Sequence, residues 1–400
     1  MTADASSSTG VPPAGDSAEQ PPKYNPRFID IGINLADPIF RGVYHGKERH
    51  EDDLHAVVDR ASEVGCAKLI VTGSSMRSSE EGLELCRQFP GTVYSTAGIH
   101  PCSSAIFAST HPQHDTGHTP ACGPDPSQPI HEDEHEPDEE RSKKIINELR
   151  SFIEKARSEP EHGLVAFGEF GLDYDRLHYC SKTIQLHSFA AQLELAASLK
   201  PQLPLFLHSR ACHQDFVRLL KNAFGERLGK LQRGGVVHSF TGTVEEMKEL
   251  VDLGLYIGIN GCSFKTAENC ALVKELDLAH LMLETDGPWC EVRPSHEGYK
   301  YIPKPESAVA QPPPPTASEG KPSKKQKNQK KALNDQGRWK VVKKEKWQTG
   351  AMVKGRNEPC TIEKIGTIVA GLKGVSVEEV CEAAWKNTVA VFPVEVQDSK

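Results

Sequence analysis

Four residues that could together bind a divalent metal lie at the ends of short apolar runs: they are Glu169, His208, His238 and Asp286. Two imidazoles and two carboxylates form an oxygen and nitrogen ligand set that suits Mg, Mn or Zn. A single histidine after an apolar run is more often a structural residue of the core or of a loop. Four residues of these types at matching positions predict a metal centre instead.

Other polar residues stand at similar positions. His100 follows the run at 93–98 and is a candidate proton carrier or phosphate contact, or a turn residue packed by Pro101. Arg210 comes two residues after His208 and could clamp a phosphate, or form a surface salt bridge. The remaining candidates are Arg356 and Asn357 for a substrate phosphate, Asp173 for the wall of the site, and Asp175 as a partner of Arg176. Arg356 and Asn357 could equally belong to a turn before a helix.

The elements that must position these residues show one rhythm, in which short apolar or β-branched runs alternate with helical patterns. The runs are at 28–34, 68–73, 93–98, 164–171, 204–209, 234–240, 255–261 and 281–287. The helical patterns are at 54–64, 79–88, 143–157, 183–199, 212–224, 244–253, 267–276, 361–372 and 376–385. Such alternation predicts an α/β fold with a parallel sheet, and eight strands close a (β/α)8 TIM-type barrel.

In such a barrel, the chemistry takes place at the carboxyl ends of the strands, which is where the four metal-ligand candidates fall. A doubly wound open sheet is the structural alternative. It would be expected to carry a Gly-x-Gly-x-x-Gly turn after an early strand, and the chain has no such turn.

The composition narrows the class of protein. The 400 residues carry a formal net charge of −8, which argues against a generally basic nucleic-acid-binding surface but leaves a local site open. No run approaches the roughly 18 apolar residues of a membrane span. The first 23 residues lack the apolar core of a secretory signal, and the 11 cysteines include no Cys-x-x-Cys pair. We therefore expect an intracellular protein of the nucleus, the cytoplasm or both, with reduced thiols.

Three segments have too little apolar sequence to fold, namely a tail at 1–25 and insertions at 102–141 and 305–346. The first insertion is rich in histidine and acidic residues, and we interpret it as a solvated loop. The second is rich in proline and lysine, and its stretch 321–331 resembles a nuclear-import signal or a DNA tether. Apart from these segments, residues 26–400 are expected to form one barrel domain.

The chain resembles the TatD-related metal-dependent deoxyribonucleases, most closely their eukaryotic branch. The matching motifs are Asp-Ile-Gly-Ile-Asn-Leu at 30–35, Thr-Ala-Gly-Ile-His-Pro at 96–101, Gly-Glu-Phe-Gly-Leu-Asp-Tyr at 168–174, His-Ser-Arg at 208–210, His-Ser-Phe-Thr-Gly at 238–242, Glu-Thr-Asp-Gly-Pro at 284–288 and Arg-Asn-Glu-Pro at 356–359. The resemblance implies a metal-dependent hydrolase barrel and 3′→5′ exonuclease activity on DNA, with endonuclease activity left open. It also implies a role in DNA repair or in apoptotic DNA degradation.

The resemblance places the metal ligands on Glu169, His208, His238 and Asp286, for one or two ions per chain, with Mg favoured over Mn or Zn. Glu169 could bridge two ions, and Asp286 is the candidate acceptor of a proton from the attacking water. Relatives often carry His-x-His at the end of strand 1, where this chain has Gly32 and Asn34. Asn34, which is also a candidate contact of the substrate phosphate, offers only a neutral carbonyl oxygen. The first ion should therefore be bound more weakly, or appear only when a DNA phosphate completes its shell.

The expected partner is DNA, as single strands or 3′ ends and without sequence specificity, because phosphodiester chemistry requires no contact with a base. Neither a membrane nor an obligate protein partner is inferred. The main alternative function is a small-molecule amidohydrolase-type metal hydrolase on the same barrel. Such enzymes usually need the His-x-His pair, and often a bridging lysine on strand 4, where this chain has Glu169. A non-catalytic nuclear interaction protein is the second alternative.

Overall fold

The structure, a computed structural model, describes residues 24–110, 136–159, 162–303 and 338–395. Eight parallel strands form one sheet in chain order. They are β1 (Phe28–Ile33), β2 (Cys66–Val71), β3 (Val93–Ala97), β4 (Leu164–Asp173), β5 (Leu205–Arg210), β6 (Gly235–His238), β7 (Tyr256–Ile259) and β8 (Leu281–Leu283). Just past the strand ends, Asp286 N donates to Gly32 O and Asn34 N donates to Gly287 O, both at 2.8 Å. These bonds join the β8 end to the β1 end, and the predicted (β/α)8 barrel is confirmed.

Helices cover the outside of the sheet. Those in the described ranges are α1 (Leu54–Glu63), α2 (Met76–Gln88), α3 (Glu139–Ser158), α4 (Lys182–Ser198), α5 (His213–Phe224), α6 (Val244–Asp252), α7 (Ala267–Glu275), α8 (Ile362–Lys373) and α9 (Val377–Val391). The predicted start of α2 at residue 79 is three residues late, because Ser75 and Ser78 form a capping box. Helix α9 continues past the predicted residue 385, and Asn387 Nδ2 donates to Leu281 O at the foot of β8.

The barrel interior is filled by a compact apolar cluster that includes Ile29, Ile31 and Phe206. The segment after α9 packs onto this cluster through the buried Phe392, and Glu395 N donates to the hydroxyl of Tyr94 near the start of β3. Residues 391–395 thus cover the amino-terminal end of the barrel, and the polar residues that follow the strands gather at the opposite end.

The predicted bounds of two unfolded segments, 102–141 and 305–346, include residues that are folded. Residues Pro101–Phe107 form a 3-10 helix whose Phe107 is fully buried, and α3 already begins at Glu139. At the other insertion, Val341–Val342 pairs with Met352–Val353. Apolar anchors at the edges of these segments hold them to the barrel. The interiors of the two insertions, including 321–331, and residues 1–23 lie outside the described residues. No helix in the described ranges combines the length and the apolar composition that a membrane-spanning helix needs.

Candidate metal centre

The site is built on three neighbouring strands. Glu169 lies within β4, His208 within β5 and His238 at the end of β6, and the β5–β6 register places His208 opposite His238. The pairing of β4 with β5 shifts between Gly168 and Phe170, so Glu169 lies on a bulge. Gly168 permits this bulge, because its φ is 144° and a Cβ there would lie 2.1 Å from the carbonyl oxygen of Phe206.

Three imidazole nitrogens converge on a single carboxylate oxygen, Oε1 of Glu169. The distances are 2.7 Å to His238 Nε2, 2.9 Å to His208 Nδ1 and 3.4 Å to His100 Nε2. Burial opposes ionisation of Glu169, but the surrounding imidazoles hold its pKa well below the usual range. Burial also opposes charging of His238, yet Glu169 and Glu284 raise the pKa of this imidazole well above its usual value. Glu169 is therefore ionised, and the positive charge of the His238 imidazolium balances it in a place that a cation could fill.

We call Glu169, His208 and His238 the candidate metal centre; their ligand atoms lie within 4.8 Å of one another. A carboxylate stands behind each of its two histidines. His208 Nε2 lies 3.0 Å from Asp173 Oδ2, and His238 Nδ1 lies 3.5 Å from Glu284 Oε2. Carboxylates in this position fix the orientation of metal-binding imidazoles and raise their basicity.

These two carboxylates are themselves anchored. Asp173 accepts from Arg176 Nη1 at 2.7 Å, so the predicted pairing of Arg176 with Asp175 is wrong. Glu284 Oε1 accepts from Ser239 N at 2.5 Å. Sequence reasoning left the role of Asp173 open and assigned none to Glu284, although Glu284 begins the Glu-Thr-Asp-Gly-Pro motif. The feature of the sequence that could have indicated a role for Glu284 is its position directly after a buried strand.

Asp286, the fourth predicted ligand, has a different set of partners. Its Oδ1 accepts from Asn34 Nδ2 at 3.1 Å, and its Oδ2 accepts from Ser239 Oγ at 3.4 Å and from Cys290 Sγ at 3.2 Å. Among the described residues, the two groups of three potential ligands are Glu169–His208–His238 and His100–Asp173–His208. The structure thus brings three of the four predicted ligands together, and Asp286 lies outside both groups.

His100 lies beside the candidate metal centre, as predicted, but burial lowers the pKa of its imidazole to about 3. Its Nδ1 accepts a hydrogen bond from Cys102 N at 3.0 Å. The neutral ring therefore carries its proton on Nε2 and points it at Glu169. In this arrangement His100 is a neutral neighbour of Glu169, with Nε2 at 3.4 Å from Oε1.

The predicted phosphate contacts are dispersed. Arg210 is partly buried at the end of β5, opposite Asp173 in the β4–β5 register. Asn34 donates to Asp286, and its amide oxygen accepts from the hydroxyl of Thr72 at 2.5 Å. The side chain of Asn34 is therefore already occupied in orienting Asp286.

The prediction for Arg356 and Asn357 is corrected, because these residues are only 3% and 2% exposed. Arg356 donates to both carboxylate oxygens of Asp53, at 2.7 and 2.6 Å, and to Glu358 at 2.8 Å. Asn357 Nδ2 donates to Thr285 O at 2.8 Å. Both side chains bind the protein itself and present no donor to a phosphate in solvent.

The candidate metal centre fits a divalent ion. It offers one carboxylate and two imidazoles, with a further carboxylate and imidazole adjacent, which is the donor chemistry of Mg, Mn and Zn sites. Its charge also fits, because imidazoles can lose their protons when a cation enters.

Comparisons with a family model, with related sequences and with solved structures all point to one family. A family model described as TatD related DNase matches residues 29–393. The chain is 38% identical over 363 residues to Deoxyribonuclease Tat-D of Schizosaccharomyces pombe, covering 91% of this chain and 95% of that protein. It is 32% identical over 272 residues to the 3′-5′ ssDNA/RNA exonuclease TatD of a Pantoea species, covering 67% of this chain and 82% of that protein. The solved structure of an uncharacterized amidohydrolase from Saccharomyces cerevisiae has a TM-score of 0.72 at 30% identity, covering 92% of this chain and all of that one.

Proposed function

Since this chain belongs to the TatD related DNase family, we propose that it is a metal-dependent deoxyribonuclease that hydrolyses phosphodiester bonds. We propose 3′→5′ exonuclease action on single-stranded DNA or 3′ ends, without sequence specificity and with endonuclease action left open. The observation that carries this proposal is the convergence of three imidazoles on Glu169 at the carboxyl end of the barrel.

Glu169, His208 and His238 would hold the ion, with Mg favoured over Mn or Zn. A second ion would be held by the group His100–Asp173–His208, and there Asp173 would bind the ion instead of His208 Nε2. A bound divalent ion would supply charge stabilisation for the phosphate and activation of water. Asp173 and Glu284 would hold the two imidazoles in their binding orientation.

Asp286 is our candidate proton acceptor. Three donors, from Asn34, Ser239 and Cys290, fix its carboxylate, and Ser239 directly follows His238 of the candidate metal centre. Its backbone, like that of Ser239, has positive φ, a conformation that non-glycine residues seldom adopt and that recurs at active sites. Arg210 is our candidate for neutralising charge on the phosphate.

The biological part of the proposal is an intracellular enzyme, in the nucleus or cytoplasm, that acts in DNA repair or in apoptotic DNA degradation. The lysine-rich stretch at 321–331 would serve as an import signal or a DNA tether. The lysine content of this stretch supports the import or tether role, and the repair or apoptotic role rests on the family resemblance.

The test uses the full chain and a single-stranded oligonucleotide labelled at its 5′ end. A 3′→5′ exonuclease produces a ladder of labelled products that shorten one nucleotide at a time. We expect EDTA to stop the reaction and Mg or Mn to restore it. Degradation at the original rate by metal-free protein would refute the metal mechanism. Hydrolysis of lactones, amides or esters in place of DNA would favour the amidohydrolase alternative.

A further inference from the structure

A cavity of about 360 Å³ lies beside the loop that carries Asp286. Its wall includes Trp289, three residues past Asp286, and Trp289 N donates to Asp286 O at 3.0 Å. The opposite walls come from the segments around Tyr44 and around 343–356. We call this space the lysine–tryptophan cavity, after Trp289 and the lysines Lys343, Lys344 and Lys354 that line it.

The three lysines make the lysine–tryptophan cavity cationic. Within the described ranges, none of them forms an ion pair, although Glu345 also lines the cavity. The Lys344 ammonium lies 4.7 Å from the centre of the Tyr44 ring. In a chain with a net charge of −8, this group of lysines without carboxylate partners leaves positive charge available to an anionic ligand.

The cavity is held in shape by buried contacts. Arg356 contributes to its lining, and Asp53 and Glu358 fix the guanidinium group from behind. Asn357 N donates to Pro288 O at 3.0 Å, which ties the lysine-bearing segment to the loop of Trp289. A ligand would therefore meet preformed walls.

The aromatic side chains indicate what kind of anion fits. Trp289 is partly exposed and also lines a second, smaller cleft that includes Asn34, the partner of Asp286. The indole thus stands between the lysine–tryptophan cavity and the Asp286 side of the barrel mouth. Aromatic faces beside backbone-binding cations are the usual features of single-stranded nucleic-acid sites, where bases stack on rings.

We propose that the lysine–tryptophan cavity binds a nucleotide of the DNA strand adjacent to the one at the candidate metal centre. The base stacks on Trp289, and its phosphate lies against Lys343, Lys344 and Lys354. This proposal rests on the proposed function, since it extends the substrate path of the same enzyme.

The test compares two double variants of the full chain in Mg buffer. Lys343→Gln/Lys344→Gln changes the cavity, and Lys230→Gln/Lys386→Gln removes two exposed lysines elsewhere. The ligand is a fluorescent, phosphorothioate-linked oligothymidylate, which resists hydrolysis. Each lysine on a phosphate contributes about −0.7 to the slope of log K against log salt, so the cavity variant should flatten this slope by about 1.4. An unchanged slope, or an equal change in the control, would overturn the proposal.

A second measurement tests the stacking contact. Trp289→Ala should weaken binding at least about fivefold, whereas Trp289→Phe should keep most of the affinity, because any aromatic face can stack on a base. Equal losses in both variants would overturn the stacking role. Hydrolysis of ordinary DNA by the unmodified chain is measured separately. Hydrolysis with an unchanged salt slope refutes the cavity alone, whereas a flattened slope without hydrolysis supports the cavity and refutes only the nuclease.

Discussion

Two clusters of buried charged side chains in this barrel differ in how their charges are balanced. In the arginine network, formed by Asp53, Arg60, Arg356 and Glu358, two guanidinium groups face two carboxylates. Arg60 Nε donates to Glu358 at 2.7 Å, and Arg356 binds both Asp53 and Glu358. In the candidate metal centre, the carboxylate of Glu169 faces imidazoles instead.

This difference shows which of the two clusters can take up a ligand. Arginine stays charged at any pH at which the protein is folded, so the charges of the arginine network balance without a ligand. Histidine can release its proton, so the candidate metal centre can exchange protons for a metal ion. Burial and short distances are common to both clusters, and the type of cation separates a structural cluster from one that can bind a ligand.

The largest expected effect is on catalysis. Glu169→Gln keeps the shape of the side chain but removes the charge on which three imidazoles converge. Loss of an orienting partner of a metal ligand costs 10- to 100-fold, so loss of the ligand itself should lower kcat by about 10³-fold or more. The measurement is single-turnover hydrolysis of labelled single-stranded DNA with Mg. Glu194→Gln, which changes an exposed helix residue, is the control. Activity within a few-fold of the unmodified chain would contradict the site assignment.

A substitution in the arginine network should lower the free energy of unfolding. Arg356→Ala leaves Asp53 and Glu358 buried with one cation fewer, and breaking a buried pair typically costs about 3–5 kcal/mol. Arg41→Ala removes an exposed pair with Asp52 of similar length, 2.8 Å, and should cost no more than about 1 kcal/mol. Urea unfolding of both variants measures the difference. Equal losses would mean that burial does not distinguish these ion pairs.

Another buried carboxyl, Asp30, sharpens the comparison, because it accepts from Thr285 and Gly32 and pairs with no arginine in the part of the chain that the structure describes. Burial raises its pKa to about 8. Between pH 4 and pH 8 the folded state therefore holds a proton that the unfolded state has lost, so the free energy of unfolding falls as the pH rises. Asp30→Asn should remove this loss, which amounts to at most about 1.4 kcal/mol per pH unit. Urea unfolding of both proteins at several pH values should show curves that diverge, and parallel curves would refute the raised pKa.

The sequence was sufficient to predict the barrel, the family and its nuclease class, all of which are confirmed. It also predicted which side chains would meet at Glu169, because successive parallel strands end at one edge. Glu169, His208 and His238 each belong to a strand, and the strand register dictates that they are neighbours.

Contacts between distant loops were beyond the reach of the same reasoning. Asp53 and Arg356 are 303 residues apart and lie on irregular segments, so no periodicity in the sequence predicts that they pair. Arg356 was therefore misread as a phosphate contact. The roles of Asp173 and Glu284 depend on which ring nitrogen of an imidazole each carboxylate contacts. The side-chain packing decides this, and the sequence pattern does not specify it.

The central claim is that Glu169, His208 and His238 bind a divalent ion, and Mn²⁺ binding tests it most directly. Metal-stripped full-length chain is titrated with Mn²⁺, and free Mn²⁺ is followed by electron paramagnetic resonance, so that no DNA or turnover is involved. The unmodified chain should bind one or two ions, and Glu169→Gln and His238→Ala should each lose at least one, while Glu194→Gln keeps all. The same stoichiometry and affinity in all four proteins would contradict the claim.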